Sequence, residues 1–213
     1  MVTVEVGRTN EIFDVHENLL LRHSDFFKAA LSGGWRERDE RKVTLSEEKT
    51  EIFEIFSRFI YSGSIFSHKE GDEYWANEKS LSHEWKRLQD CWNLGEKLQS
   101  TSFKDAIVDA IVAEYRTQLK VPLDIHNRIY ASSHKKSKIR ILLVDFAIHG
   151  WKLSAFENLQ QDRRQPDFIF DVAAALLKIK KRGVNTKPAY LGDETCTYHV
   201  HEAEGKACYK TMF

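Results

Sequence analysis

The sequence predicts an α+β fold that is mostly α. Three observations predict it. Short segments with period-2 alternation lie only near the start of the chain. Apolar residues then recur at three- and four-residue spacing along most of the remaining chain. Only 3 Pro and 10 Gly among 213 residues leave few natural breaks. No internal repeat or low-complexity run replaces this pattern.

The elements come in this order. Residues 2–6, Val-Thr-Val-Glu-Val, alternate as a strand. Gly7 to Asn10 reads as a turn, and residues 11–15 as the returning strand of a hairpin. Residues 16–21 read as a short helix opened by His16, a capping residue rather than a catalytic one. Ser24 can cap the next helix through its hydroxyl, and Gly33-Gly34 stops that helix. Residues 35–42 are almost all charged apart from Trp35. Residues 43–45 form a third strand, with Ser46 as the expected cap of the following helix. That helix carries Ile52, Ile55, Phe56, Phe59 and Ile60 on one face, against which Phe13, Val15, Leu20, Phe26, Phe27 and Leu31 are expected to bury. Residues 61–65 close it in a turn, with room for a fourth strand at Ile65.

Residues 66–80 are polar and read as a loop. Helices are expected at 84–99 and 103–117, the second opened by a capping box of Ser102 and Asp105. Trp85, Leu88 and Trp92 share one helical face and read as core. Cys91 reads as a small buried hydrophobe, and Trp75, in the loop, as a partner contact. Further helices are expected at 123–131, around Ile139 to Ala147, and around Ile169 to Leu177, with Pro166 in the first turn of the last. The tail after Gly183 reads as irregular.

Composition narrows the function. No apolar run approaches the ~20 residues of a membrane span. The first residues lack the basic start and apolar stretch of a signal peptide. Three cysteines without disulfide spacing point to a reducing compartment, cytoplasm or nucleus. Net charge is zero but divided: residues 1–120 carry 17 basic and 22 acidic side chains, residues 121–182 carry 12 and 6. The acidic first part is unsuited to nucleic acid. Two basic runs, at 134–140 and 178–182, abut helices without interleaved stacking aromatics, so they read as solvated helix ends. No P-loop, G-x-S-x-G or H-E-x-x-H pattern supports an enzyme.

Phe13-Asp14-Val15-His16-Glu17-Asn18-Leu19-Leu20 followed by Ser24-Asp25-Phe26-Phe27 resembles the F-x-V-H-x-x-L-L-x-x-x-S-x-F-F signature of BTB/POZ domains. Val43-Thr44-Leu45, Phe53-Glu54-Ile55-Phe56 and Phe59-Ile60-Tyr61-Ser62-Gly63 resemble the family's third strand, next helix and closing Φ-Y-x-G. The resemblance implies a short β-sheet flanked by helices over residues 2–116, a helical extension over 117–183 and an irregular tail over 184–213. Residues 123–131 and 137–150 further resemble the helical extension of fungal BTB proteins. The family's function is protein–protein interaction.

The resemblance also implies candidate sites. Some BTB proteins dock a substrate onto a cullin-3-type ubiquitin ligase scaffold through a Φ-x-E element between the second helix and the third strand. Trp35-Arg36-Glu37 stands there, which makes Trp35 and Glu37 the candidate partner-binding residues. An apolar anchor with an orienting charge suits a compact interface; the alternative is that Trp35 packs over the helix end and Glu37 is solvated. The other uses open to the family are a self-associating scaffold or a transcription-related protein. A sequence that begins almost at its first strand is expected not to swap that strand into a dimer. A smaller two-fold homodimer contact stays open, with the 2–6 strand as an exposed edge.

Cys196, His199, His201 and Cys208 form a C-x2-H-x-H-x6-C group. Four soft ligands match the number that tetrahedral structural zinc requires, and Gly205 permits the return turn. The pattern C-x-Y-H-x-H is similar to one near the ends of fungal BTB proteins. The alternatives are incidental Cys and His in a flexible tail, or, from another class, a zinc-dependent enzyme with Glu202 or Glu204 as base.

Overall fold

The computed structural model describes residues 1–32, 36–67, 78–119, 121–154, 166–182 and 187–213. The chain divides into two compact units: Met1–Ala110 with Val200–Phe213, and Ile111–His199.

In the first unit, β1 (Val2–Val6) pairs antiparallel with β2 (Glu11–Val15) and parallel with β3 (Lys42–Leu45), in the order β2-β1-β3. The expected hairpin is present. Its register sets Val2 opposite Val15 and Val4 opposite Phe13. The 2–6 strand is not the edge that was expected. It is central, with Val2, Val4 and Val6 wholly buried on one face. Period 2 alone says which face is buried and nothing about which neighbours a strand gains. The parallel β1–β3 pairing requires a crossover, supplied by α1 (Glu17–His23), α2 (Asp25–Ser32) and α3 (Arg36–Glu40). The short helix α3 was not foreseen, because five charged residues carry no apolar period.

Ser24 caps α2 as expected: its hydroxyl accepts from the Phe27 N–H at 3.2 Å and donates to the Leu98 carbonyl at 2.6 Å. Gly33 and Gly34 lie outside the described residues. The helix after β3, α4 (Thr50–Ser62), starts four residues beyond Ser46, so Ser46 is no cap. Lys49 stands at the N-cap without a side-chain bond. Six residues of α4 are buried: Ile52, Phe53, Ile55, Phe56, Phe59 and Ile60. At ~1.5–3 kcal/mol for each buried apolar side chain, this face is a large contributor to the unit's stability. Gly63 ends α4 at φ +72°, donating to the Phe59 carbonyl at 2.8 Å. A Cβ there would stand 2.6 Å from the Phe213 ring. Residues 64–67 form no strand, so the sheet has three strands among the described residues.

Residue His16 stands at the N-cap of α1, but its ring does not cap the helix. Its Nδ1 lies 2.7 Å from the Tyr61 hydroxyl, which also accepts from the His16 N–H at 3.1 Å. The histidine of the first signature segment thus meets the tyrosine of the last.

The next helix, α5 (Glu78–Lys97), begins six residues before the expected start, and its core face holds Trp85, Leu88, Cys91 and Trp92. Burial pushes the Cys91 thiol pKa well above its ordinary value, so this sulfur packs rather than reacts. Trp75 lies outside the described residues. After α5 comes α6 (Thr101–Gln118), in which Ser100, not Ser102, occupies the capping place, accepting from the Phe103 N–H at 3.4 Å. Ser102 instead meets His23 Nδ1 at 2.9 Å, and Asp105 bonds to the tail at Val200 and His201.

The second unit contains α7 (Leu123–Ser132), α8 (Lys138–Gly150) and α9 (Pro166–Arg182), all three foreseen, with Pro166 as the first helical residue of α9. Its core is apolar and aromatic: Ile125, Ile129, Leu142, Leu143, Phe146, Phe168 and Val172 are buried, and Tyr115 stacks on Phe146 at 3.9 Å. Arg140, in the first basic run, is not solvated. It is buried, donates to the Tyr130 carbonyl at 2.8 Å and lies over the Tyr130 ring at 4.2 Å. Turns at Ala189–Leu191 and Thr195–Tyr198 complete the unit. The Arg116 guanidinium holds the first through the Tyr190 carbonyl (2.8 Å), and Asp145 holds the second through the Tyr198 hydroxyl (2.7 Å). No helix among the described residues is long and apolar enough to cross a membrane.

Candidate functional site

Two places carry the candidate residues. The first is on the surface of α2, α3 and β3. An open depression of about 600 Å³ is lined by Phe26, Ala29, Ala30, Glu37, Glu40, Lys42, Val43 and Thr44. Small residues on α2 hollow it out, and Phe26, half-buried against Phe27 at 5.3 Å between ring centres, forms an apolar wall. Glu37, half-buried, is among its lining residues, on the helix α3 that charge alone made hard to foresee. The lining therefore combines apolar side chains with charged and polar ones, the mixed chemistry of a compact protein interface. Trp35 lies outside the described residues.

The second place is the segment 196–208. Local backbone bonds shape it. Cys196 lies in the Thr195–Tyr198 turn rather than in an extended stretch, and its carbonyl accepts from the His199 N–H at 3.0 Å. Beyond His201 the chain reverses. The Lys206 N–H donates to the His201 carbonyl at 2.9 Å, and Gly205 takes φ +64°, a conformation that costs glycine little. The return turn expected at Gly205 is therefore present. The result brings all four Cys/His ligand atoms, from Cys196, His199, His201 and Cys208, within 4.8 Å of one another. His199 is buried, the other three half-buried. This Cys/His group could hold a metal ion.

The surroundings of His201 reach well beyond the sequence motif. Asp105 on α6 is wholly buried. Its carboxylate accepts the Val200 N–H at 2.7 Å and the His201 N–H at 3.2 Å, and its Oδ2 lies 2.7 Å from His201 Nδ1. Sequence reasoning read Asp105 as half of a capping box. The available signal was the departure from that box, which normally carries Glu or Gln at this position.

Around it, Glu204 meets Thr101 and, at 3.4 Å, Lys104. Lys206 meets Asp25 at 2.8 Å, Thr101 at 2.9 Å and Glu204 at 3.1 Å. Desolvation works to raise the Glu204 pKa, but the Thr101 hydroxyl and the nearby lysines outweigh it and hold the carboxyl below its ordinary range. Hydrogen bonds from Lys206 and Lys28 lower Asp25 as well. Farther along, the Tyr209 hydroxyl donates to Asp109 at 2.6 Å, and Lys210 approaches the same carboxylate at 2.9 Å.

Comparison with known proteins adds to this geometry. A family model described as the BTB/POZ domain matches residues 2–114. Among curated proteins, a protein named arm repeat protein interacting with ABF2, from Arabidopsis thaliana, is 46% identical over 59 residues, 28% of this chain and 8% of its own length. Another from the same plant, armadillo BTB Arabidopsis protein 1, is 38% identical over 53 residues, 25% of this chain and 7% of its own. The matches thus span less than a tenth of these relatives. BTB/POZ domains are protein–protein interaction modules, and the matched segment carries the sheet, the α4 core and the depression beside Glu37. The chain belongs to the BTB/POZ domain family.

Proposed function

We propose that this chain is an adaptor that recruits a cullin-3-type ubiquitin ligase scaffold through the α2–α3–β3 surface. The observation that supports the reading is the depression itself, lined by apolar Phe26, Ala29, Ala30 and Val43 together with half-buried Glu37. A partner helix or loop with an apolar anchor would fill the depression, and Glu37 would orient a cationic group on it. Such charges set specificity and encounter rate more than affinity. Trp35, two residues before Glu37, supplies the aromatic that interface hot spots favour. Three cysteines without disulfide spacing suit the reducing cytoplasm or nucleus where such a ligase works.

Isothermal titration against the N-terminal region of a cullin-3-type scaffold tests the reading. Micromolar or tighter binding is expected, at least ~8 kcal/mol. Trp35→Ala combined with Glu37→Ala is expected to abolish it without unfolding the chain. No heat at two temperatures, or undiminished binding by the double variant, removes the adaptor reading.

Within this function, Cys196, His199, His201 and Cys208 serve as ligands of a structural zinc, as the likeness to fungal BTB proteins implies. Tetrahedral zinc with bonds of ~2.0–2.3 Å needs ligand atoms roughly 3.3–3.8 Å apart. A group already within 4.8 Å reaches that by small side-chain adjustments. The ion would supply folding energy to a segment poor in buried apolar surface. All four protein ligands are spent on the ion, a closed set of the structural kind. Metal analysis after exhaustive dialysis is expected to find one zinc per chain, and a chelator to lower thermal stability. A metal-free protein whose melting is unchanged by chelator excludes the ion.

A further inference from the structure

The deepest polar group beside the Cys/His segment is Asp105, and it belongs to α6, 91 residues before Cys196 in sequence. Its side chain is 1% exposed. A buried carboxylate costs several kcal/mol unless its oxygens are matched by donors. Here the donors are two consecutive backbone N–H groups and one imidazole N–H, all from Val200 and His201. A carboxylate can only accept, so the hydrogen of the 2.7 Å imidazole contact sits on His201 Nδ1. That places the ligand lone pair of a neutral His201 ring on Nε2.

We propose that Asp105 is a positioning residue for the metal centre: it fixes His201 as an Nε2 ligand and anchors the 200–201 backbone that carries it. The inference rests on the structural zinc reading given above. The pair has the form of a carboxylate–histidine–metal relay, in which the outer carboxylate sets the tautomer, holds the ring's angle and raises its basicity. The two backbone bonds do a separate task. They tie the chain on the His201 side of the site to a rigid helix, so that the ligand is presented before the ion arrives. The 2.9 Å Lys206–His201 bond and the contacts of Glu204 and Lys206 to Thr101, Lys104 and Asp25 brace the turn leading to Cys208.

The test uses the full chain and zinc alone. Nitrogen-15 NMR of the zinc-loaded protein reports which His201 nitrogen is metallated. Nε2 is expected, with a protonated Nδ1. Metallation at Nδ1 overturns the proposal. Asp105→Asn keeps the size and one acceptor, and competition with a chromophoric chelator is expected to show a roughly 10–100-fold weaker zinc affinity. The cobalt-loaded variant is expected to show shifted ligand-field bands, a change that general destabilisation would not produce. Should Asp105→Asn fail to fold, the nitrogen assignment in the wild type still decides. A wild type that takes up no zinc removes the four-ligand reading and this one with it. A wild type that binds zinc, with affinity and cobalt spectrum unaltered in Asp105→Asn, removes only the role of Asp105.

Discussion

The first unit contains two kinds of structure. The β1–β3 sheet with α4 is held by apolar burial. Val2, Val4, Val6, Phe27, Phe53, Phe56 and Phe59 are all wholly buried. The closing segment Val200–Phe213 has no fully buried residue. It is held instead by Asp105, Asp109, Glu204 and Lys206, and by the rings of Tyr209 and Phe213 against Phe59, at 6.1 and 5.6 Å. Burial is non-directional and is not weakened by charge screening, whereas each polar contact nets only ~0.5–1.5 kcal/mol because water competes for it. The two parts should therefore respond to different perturbations, and a ligated metal would matter most to the second.

The largest effect belongs to the core. Phe56 lies between Phe53 (5.7 Å), Phe103 (5.2 Å) and Phe27 (6.5 Å) and is wholly buried. Phe56→Ala leaves a cavity that these rings cannot refill. A loss of ~3–5 kcal/mol is expected in urea unfolding. A loss below ~1 kcal/mol would mean that the aromatic cluster is not what holds the unit together, and the contrast with the segment would fail.

The same contrast explains what was legible in sequence. The α4 face, the hairpin and α7 to α9 could be read because apolar period is a local property that packing enforces. α3 could not, since its five charged residues show no period and its place depends on the crossover between β1 and β3. The early start of α5 was hidden by its polar opening, because its periodic apolar residues begin in earnest at Trp85. At the candidate sites, the Cys/His group was legible from Cys196 to Cys208 because spacing within one short segment carries it. Asp105 was not. Its local neighbour Ser102 suggested a cap, while its partners Val200 and His201 lie 95 and 96 residues away. Long-range polar pairing leaves no period to read.

A second effect sits where the two parts meet. His23 is buried, stacked on Phe213 at 5.3 Å and edge-on to Phe59 at 5.7 Å. Burial, with the charge of Arg22 beside it, lowers its pKa from 6.5 to about 4. The unfolded chain takes up this proton near pH 6.5 and the folded chain only near 4. The unfolded state binds more protons between those values, so stability falls as pH falls through that window. The loss is up to about 3 kcal/mol, complete below the folded-state value. Asp25 and Glu204 also lose favourable contacts in acid. The clean measure is therefore the difference between wild type and His23→Gln across roughly pH 4–7. The variant is expected to show the shallower slope, and parallel curves would mean that His23 is not held neutral.

The smallest effect separates the segment's ion pairs from its other anchors. Lys206 bridges Asp25 (2.8 Å) and Glu204 (3.1 Å), with more than a third of each side chain exposed. Desolvation opposes its charge, yet hydrogen bonds from its ammonium to Asp25 and Glu204 outweigh that and raise its pKa. Exposed pairs of this kind contribute ~0.2–1 kcal/mol and weaken with salt, because mobile ions screen them over ~10 Å at about 0.1 M. Lys206→Met keeps the aliphatic stem and removes the charge. Amide hydrogen exchange of residues 200–213 is expected to rise by a few-fold at low salt, and wild type and variant to converge near about 1 M. Exchange in the β1–β3 sheet should stay unchanged throughout. If the sheet loosens together with the segment, the two parts unfold as one cooperative body despite their different chemistry. If neither responds, the Asp105 anchor and the aromatic contacts suffice, and the surface charges of the segment are incidental to its docking.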